Sequence, residues 1–230
     1  MNMRYKAVPT SSDIYNDLLK KIINLDYVPG EGISENELCE KYGVTRHAIR
    51  GALAVLKEQG LIEVVPQKGT YVSLIDLEMI DNILFLRSAV EQETLHEIFK
   101  NKDNTSLVEK LRECIEQQMQ EASARGNTER FYELDDRFHS LLLDAVGRGP
   151  VQDLYYDAYL HVRRWRNMEV GAQERTAELP REHQNIINAI EQGDEQAARV
   201  SMDHHINSVS LFGNEIMAKY PWYFVQNIYA

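Results

Sequence analysis

Apolar residues in the first part of the chain recur at helical spacing three times, and two β-rich runs follow them. The first helical pattern starts after Ser11 or Ser12, either of which can cap a helix, and the second starts at Ser34. The third pattern runs from Thr45 to Gly60, and the runs LIEVV and TYVSLI around PQKG then predict a hairpin. Three helices followed by a hairpin are the element order of a winged helix-turn-helix.

From Asp76 onward the apolar periodicity is helical throughout. Glycine and proline punctuate six helical segments, which span 77–99, 105–125, 128–146, 150–169, 180–192 and 194–218. Pro180 suits the first turn of the fifth segment, and Asp194 can cap the sixth. Such a series predicts an antiparallel α-helical bundle. The predicted fold is therefore mainly α, with a winged helix-turn-helix over residues 1–75 and an all-helical domain over residues 76–230.

Charge is distributed unevenly between these two parts. The whole chain has 25 Lys+Arg and 36 Asp+Glu, a net charge of −11, whereas residues 1–75 are neutral. All of the negative excess therefore lies in the helical part. Between Lys41 and Lys57 there is no acidic residue, so the third predicted helix forms a basic patch in an acidic protein.

Membrane segments and thiolate sites are not indicated. No apolar run approaches the roughly 18 residues that span a bilayer, and the N-terminus lacks a signal-peptide core. We expect a cytoplasmic protein with no membrane partner. Cys39 and Cys114 lie far apart without C-x-x-C spacing, so they are read as packing residues.

The third predicted helix has the chemistry that DNA recognition requires. Arg46 and Arg50 are four residues apart and project from one face, where arginine can pair with base edges in the major groove. Thr45 and His47 lie at the helix N-terminus, which favours phosphate, and Lys68 lies at the tip of the hairpin. A basic stripe alone is often only a solvated face. Its place in a winged helix-turn-helix favours double-stranded operator DNA as the partner.

The run GVTRHAIRGALAVLKEQGLI, within residues 11–72, resembles the DNA-binding domain of the GntR family of bacterial transcriptional regulators. In that family two arginines of the recognition helix touch operator DNA, and the matching positions are Arg46 and Arg50. The chain departs from the family pattern at Asn36, where arginine is common, which implies a different operator sequence. The resemblance implies a ligand-responsive regulator, a repressor that binds a two-fold operator as a homodimer.

Two aspartates and a histidine interrupt the apolar pattern of FYELDDRFHSLLL, residues 131–143. A helical projection places Asp135 and His139 on the inner edge, one turn apart, and turns Asp136 toward water. A buried carboxylate and imidazole need partners, because an unpaired buried charge is costly. A hydrogen-bonded pair and a metal site both satisfy this requirement.

Two later predicted helices each add an inward-facing histidine. His183 shares a side with isoleucines in PREHQNIINAIEQG, and His205 aligns with apolar residues in the following helix, whereas His204 points away. One carboxylate and three imidazoles from three helices suit a divalent transition metal. We expect zinc first, with nickel, manganese, cobalt and iron as the alternatives.

The same residues carry a second resemblance. LDDRFH, REHQNII and HHI reproduce the ligand pattern of the FCD effector domain of the FadR subfamily at Asp135, His139, His183 and His205. That domain usually binds a small organic acid or sugar acid whose carboxylate reaches the metal. Arginine is the natural second clamp for such an acid. The candidates are Arg87, which can instead form a salt bridge with Glu91, and Arg164 in the run HVRRWRNM, where Arg163 and Arg166 are neighbouring alternatives.

The rival interpretation from another class is a metal-dependent enzyme acting on a small carboxylic acid. It would use the same aspartate and histidines. The sequence shows no general base beside these ligands and contains a complete DNA-reading module. We therefore expect a regulator and no catalytic residues.

Overall fold

The computed structural model describes residues 8–123, 128–169, 174–208 and 213–226. Helices dominate it, and one small antiparallel sheet is formed by short strands before the second helix and after the third helix, so the fold is mainly α as the sequence predicts. Among the helices described, none combines the length and the apolar character that crossing a membrane requires.

The first part of the chain is a three-helix unit with a wing. Its elements are α1 (Ser11–Ile23), β1 (Gly32–Ile33), α2 (Glu35–Tyr42), α3 (Arg46–Glu58), β2 (Ile62–Val65) and β3 (Gly69–Val72). The strands pair antiparallel in the order β1-β3-β2, with Gly32 opposite Tyr71. The sequence predicts the β2–β3 hairpin and misses β1, because two residues are too few to show an alternating pattern.

The start of α1 differs from the prediction in a way that affects α3. Thr10 caps α1 through a capping box with Asp13, so neither Ser11 nor Ser12 is the cap. Ser11 instead donates its hydroxyl to the carbonyl oxygen of Ala48 in α3, at 3.0 Å. A Cβ atom added at Gly51 would lie 2.6 Å from the Ser11 hydroxyl, so this glycine permits the close approach of the two helices.

The helical part contains seven α-helices among the described residues. They are α4 (Leu77–Phe99), α5 (Thr105–Ser123), α6 (Thr128–Ala145), α7 (Tyr156–Glu169), α8 (Glu174–Gln192), α9 (Glu195–Asn207) and α10 (Gly213–Lys219). The first three agree closely with the predicted segments. The segment predicted over 150–169 is a 3-10 helix (Gly149–Leu154) followed by α7.

The last two predicted segments need correction. Helix α8 begins at Glu174, so Pro180 lies inside it and not in its first turn; proline removes only one helical hydrogen bond, and the helix continues past it. Helix α9 is capped by Asp194 as predicted but ends at Asn207, and residues 209–212 lie outside the described residues.

Two large hydrophobic cores and one small cluster of Phe131, Tyr132 and Leu179 lie among the described residues. One core lies among α1, α2, α3 and the sheet, and the other core lies among the helices from α4 to α9. Leu160 of α7 is fully buried in the first core, although its helix belongs to the bundle. Helix α7 therefore packs against both parts of the chain.

Candidate metal centre and DNA-facing surface

Four predicted ligands meet inside the helical bundle. Helix α6 supplies Asp135 and His139 one turn apart, α8 supplies His183 and α9 supplies His205. One ligand atom from each lies within 4.8 Å of all the others, and the four side chains are 0–3% exposed. We call these four residues the Asp-His cluster.

The second ring nitrogen of each cluster histidine has its own partner. The Nδ1 atom of His139 lies 2.5 Å from the Glu91 carboxylate, and Nδ1 of His205 lies 2.8 Å from the Glu182 carboxylate. For His183 the partner is the amide oxygen Oε1 of Gln118, at 3.1 Å. Because carboxylate and amide oxygens only accept, each Nδ1 carries the hydrogen and donates it. Each Nε2 atom is therefore left with a free lone pair.

These lone pairs face one another. The Nε2 atoms of His139 and His205 are 3.1 Å apart, and those of His183 and His205 are 3.3 Å apart. Oδ1 of Asp135 lies 3.4 Å from Nε2 of His183 and has no hydrogen-bond partner although it is buried. Four acceptor atoms thus converge, which is unfavourable until a cation lies between them. Three imidazole nitrogens and one carboxylate oxygen fit a divalent transition metal.

The protonation states of the cluster suit metal binding. Burial lowers the pKa of His183 and of His205 to about 3, and it holds the pKa of His139 well below its ordinary value. Burial alone would raise the pKa of Asp135, but the charge of Arg166 and the three neighbouring histidines together outweigh it and keep that pKa well below the usual range. At neutral pH the cluster therefore offers three neutral imidazoles and one carboxylate.

Two buried arginines adjoin the cluster. Arg87 donates Nε to Glu91 at 2.6 Å and Nη1 to the Tyr159 hydroxyl at 2.7 Å, so the salt bridge considered from the sequence is present. Arg166 donates Nη1 to Asp135 at 2.5 Å and also to Tyr159 at 3.1 Å. Glu91 thus connects Arg87 to His139, and Tyr159 connects the two arginines.

Arg164, which the sequence predicts as an effector contact, hydrogen-bonds to Ser73 in the structure. Its two terminal nitrogens donate to the hydroxyl and the carbonyl oxygen of Ser73, at 2.8 and 2.6 Å. Burial lowers the pKa of Arg164 to about 10. Residues two apart on a helix project about 200° apart. Arg164 and Arg166 therefore project in nearly opposite directions, and Arg166 is the one that contacts Asp135.

The two polar residues predicted to point away from the cluster do so to different degrees. The His204 side chain is 68% exposed, and its Nε2 atom lies 3.9 Å from Glu182. Asp136 is turned away from the cluster but is only 24% exposed, with a carboxylate oxygen 3.7 Å from Nη1 of Arg163. The prediction that Asp136 faces water is therefore only partly correct.

The predicted DNA-contacting residues are all exposed to solvent. Thr45, Arg46, His47 and Arg50 are exposed at the N-terminal end of α3, and Lys68 is exposed in the turn between β2 and β3. Thr45 occupies the N-cap position of α3, yet its side chain makes no capping hydrogen bond. The Thr45 side chain therefore does not occupy the first backbone N–H groups of α3, the groups to which an anion binds at a helix N-terminus.

Both candidate arginines of α3 contact side chains at the start of α2. Arg46 donates Nη2 to the amide oxygen of Asn36 at 2.7 Å, and Arg50 donates Nε to the two carboxylate oxygens of Glu35 at 3.0 and 3.2 Å. Arg50 remains 64% exposed. Asn36, the position where this chain departs from the pattern described above, thus contacts a base-reading candidate.

Two protein families match successive parts of the chain. The gntR family of bacterial regulatory proteins matches residues 10–72, and the FCD domain family matches residues 82–208. A relative from Streptomyces ambofaciens, an uncharacterized HTH-type transcriptional regulator in an unstable DNA locus, is 32% identical over 197 residues, covering 86% of this chain and 82% of that protein.

The HTH-type transcriptional repressor RspR from Escherichia coli (strain K12) is 30% identical over 202 residues, covering 88% of each chain. A crystal structure of a GntR transcriptional regulator from Rhodococcus sp. RHA1 superposes with a TM-score of 0.73 at 18% identity. That superposition covers 91% of this chain and 98% of the other, and it shows a shared fold.

Proposed function

This chain belongs to the gntR family of bacterial transcriptional regulators, and we propose that it is a repressor that senses a small organic or sugar acid through a metal held by the Asp-His cluster. The families and relatives that match it are regulators, so the chain is a regulator and not an enzyme. The rival interpretation as a metal-dependent enzyme gains no support.

The observation that carries the metal proposal is the convergence of four acceptor atoms. The Nε2 atoms of His139, His183 and His205 and the unpartnered Oδ1 of Asp135 lie together with no donor among them. Zinc is the first candidate, and nickel, manganese, cobalt and iron share its preference for imidazole and carboxylate. A bound ion would link α6, α8 and α9 and would give an acidic effector a positive centre to bind.

For DNA binding we assign Thr45, Arg46, His47, Arg50 and Lys68 to the operator contact. Their support is their exposure at the N-terminal end of α3 and at the wing tip. A homodimer would place two such helices about 34 Å apart on a two-fold operator. An effector that favours another spacing of the two DNA-binding units would lower operator affinity by shifting the population of conformations.

We divide the chain into a DNA-binding domain over residues 1–75 and an effector-binding and dimerisation domain over residues 76–230. The two hydrophobic cores support this division, because one involves residues up to Val72 and the other begins at Ile75. Leu160 is the exception, since it packs in the first core from α7.

Metal content tests the proposal. We expect gently purified protein to contain about one metal ion per chain, and we expect His183→Ala to lose most of it. The matched control is His204→Ala, which removes an exposed imidazole close to the same Glu182. Elemental analysis of both variants beside the wild type is the measurement. Equal metal loss in the two variants, or a metal-free wild type after supplementation with zinc, would rule out the cluster as the binding site.

A further inference from the structure

We propose that the Nε–Nη2 edge of Arg166 is the binding site for the carboxylate of the effector, and that this effector carries a single negative charge. The inference rests on the metal site proposed above. It adds the residue that binds the effector, the charge of the effector, and the contacts through which binding reaches the DNA-binding part. Arg166 lies in α7, two positions beyond the arginine that the sequence singled out.

The guanidinium of Arg166 is buried, and only one of its three nitrogen atoms donates hydrogen bonds. The residue is 2% exposed, and its Nη1 atom donates to Asp135 and Tyr159. Its Nε and Nη2 atoms are both buried and have no hydrogen-bond partner. Leaving such charged donors unpaired costs about 1–3 kcal/mol each or more. These two N–H groups lie on the same side of the planar group, the side that binds a carboxylate through two parallel hydrogen bonds.

Neither of the other two buried arginines that the structure describes, Arg87 and Arg164, offers this edge. Arg87 already donates Nε to Glu91 and Nη1 to Tyr159. Arg164 donates both terminal nitrogens to Ser73 and leaves only Nε unpaired. Among the buried side chains that the structure describes, Arg166 is therefore the one with two adjacent unpaired donors.

The charges around the cluster set the charge of the ligand. Among the buried side chains that the structure describes around the cluster, the two arginines Arg87 and Arg166 face three carboxylates, those of Glu91, Asp135 and Glu182, an excess of one negative charge within this set. A divalent ion reverses this balance to one positive charge in excess. A single carboxylate then neutralises the site, whereas a second buried carboxylate would find no counter-charge.

The position of Arg166 also connects the ligand to the recognition helix. On other faces of α7, the His161 ring donates to the carbonyl oxygen of Gln59, the C-cap of α3, at 3.0 Å, and Asp157 accepts from the Gln59 side chain at 2.8 Å. Asn167, next to Arg166, donates to the carbonyl oxygen of Ile23 at 2.7 Å. A carboxylate that binds Arg166 therefore acts on the helix on which the DNA-binding part rests.

The first test compares four-carbon probes on the zinc-loaded, full-length protein. Butyrate, its neutral analogue butyramide and the doubly charged succinate are titrated at constant ionic strength while the melting temperature is followed, with sodium chloride as the reference. We expect butyrate to stabilise the protein and to bind at least about tenfold more tightly than either other probe. Equal stabilisation by butyramide would overturn the carboxylate site, and equal binding of succinate would overturn the single charge.

The second test removes the paired N–H groups of Arg166 and keeps its positive charge. Arg166→Lys retains a cation for Asp135 but lacks the planar donor pair, so we expect it to keep its zinc and to lose butyrate affinity about tenfold or more. Arg163→Lys, on the same helix and paired with Asp136, is the matched control and should behave as wild type. Unchanged butyrate affinity in Arg166→Lys would mean that the metal alone holds the acid.

Zinc content, measured on each sample, separates the two proposals. A wild-type protein that binds no zinc contradicts the proposed function, whereas one that binds zinc but does not distinguish butyrate from butyramide contradicts only the role of Arg166. If Arg166→Lys fails to fold, the comparison of probes on the wild-type protein still decides between these outcomes.

Discussion

Single residues outside the Asp-His cluster determine how its ligands point. His139 is held by Glu91, His205 by Glu182 and His183 by the amide of Gln118. A carboxylate that accepts from Nδ1 fixes the orientation of the ring and makes Nε2 a stronger ligand. His139 and His205 are therefore made stronger ligands by their carboxylate partners, whereas the neutral amide of Gln118 has a weaker effect on His183.

Glu182→Gln should weaken zinc binding about 10–100-fold without unfolding the protein, because the amide supports His205 less strongly than the carboxylate does. The zinc dissociation constant, measured by competition with a chelator, is the readout. His204→Ala, one position before His205, is the control and should leave the constant unchanged. An equal dissociation constant in Glu182→Gln and wild type would remove Glu182 from this role.

The sequence could predict the residues of the cluster but not those around it. Asp135 and His139 lie one turn apart, and helical phase alone turns both inward. Glu91 and Gln118 belong to helices whose position beside the cluster depends on how the bundle packs. Arg166 is one of three arginines within four residues of α7, and only the orientation of that helix decides which one reaches Asp135.

At the level of elements, the recognition helix α3 packs closely against α1. Gly51 faces Ser11 at a distance that leaves no room for a Cβ atom, and Ser11 donates to Ala48. Glycine inside a helix is unfavourable by about 1 kcal/mol relative to alanine. The close contact between α1 and α3 explains why the recognition helix nonetheless contains a glycine.

A double-mutant cycle tests this explanation. In a Ser11→Ala background, Gly51→Ala should raise the free energy of unfolding by about 1 kcal/mol, as helix propensity predicts. With Ser11 present the same substitution should gain little, because the hydroxyl must move and lose its hydrogen bond to Ala48, which is worth about 1 kcal/mol. Chemical denaturation gives both values. The same gain in both backgrounds would mean that Ser11 does not restrict this position.

Element boundaries were predicted best where local signals agree. Asp194 caps α9 as its sequence indicates. The predicted start of α8 is wrong because proline favours the first turn of a helix, whereas this helix begins at Glu174 and continues through Pro180 despite the unfavourable position. Strand β1 could not be predicted, since it exists only through its pairing with β3.

At the scale of the whole molecule, helix α7 joins the two parts of the chain. Leu160 enters the core of the DNA-binding part, His161 contacts the end of α3, and Tyr159 and Arg166 face the cluster. The basic surface of α3 lies in the neutral first part, whereas all of the excess negative charge is in the helical part. DNA is therefore expected to contact the first part alone.

Arg50→Ala should lower affinity for a selected operator about 5–100-fold, since one arginine–guanine contact contributes about 1–3 kcal/mol. The matched control is Lys57→Ala, which removes one positive charge from the last turn of the same helix and should have a smaller, sequence-independent effect. DNA selected by the wild-type protein from a random pool serves as the probe in a gel-shift titration. Unchanged affinity in Arg50→Ala would exclude Arg50 from base recognition.

The most direct test of the metal centre is the X-ray absorption spectrum of the zinc-loaded, full-length protein. Binding by Asp135, His139, His183 and His205 predicts scattering from three imidazole rings at about 2.0–2.1 Å together with an oxygen neighbour. A spectrum with a sulfur neighbour at about 2.3 Å, or with oxygen neighbours and no imidazole, would contradict the assignment of the metal to this cluster.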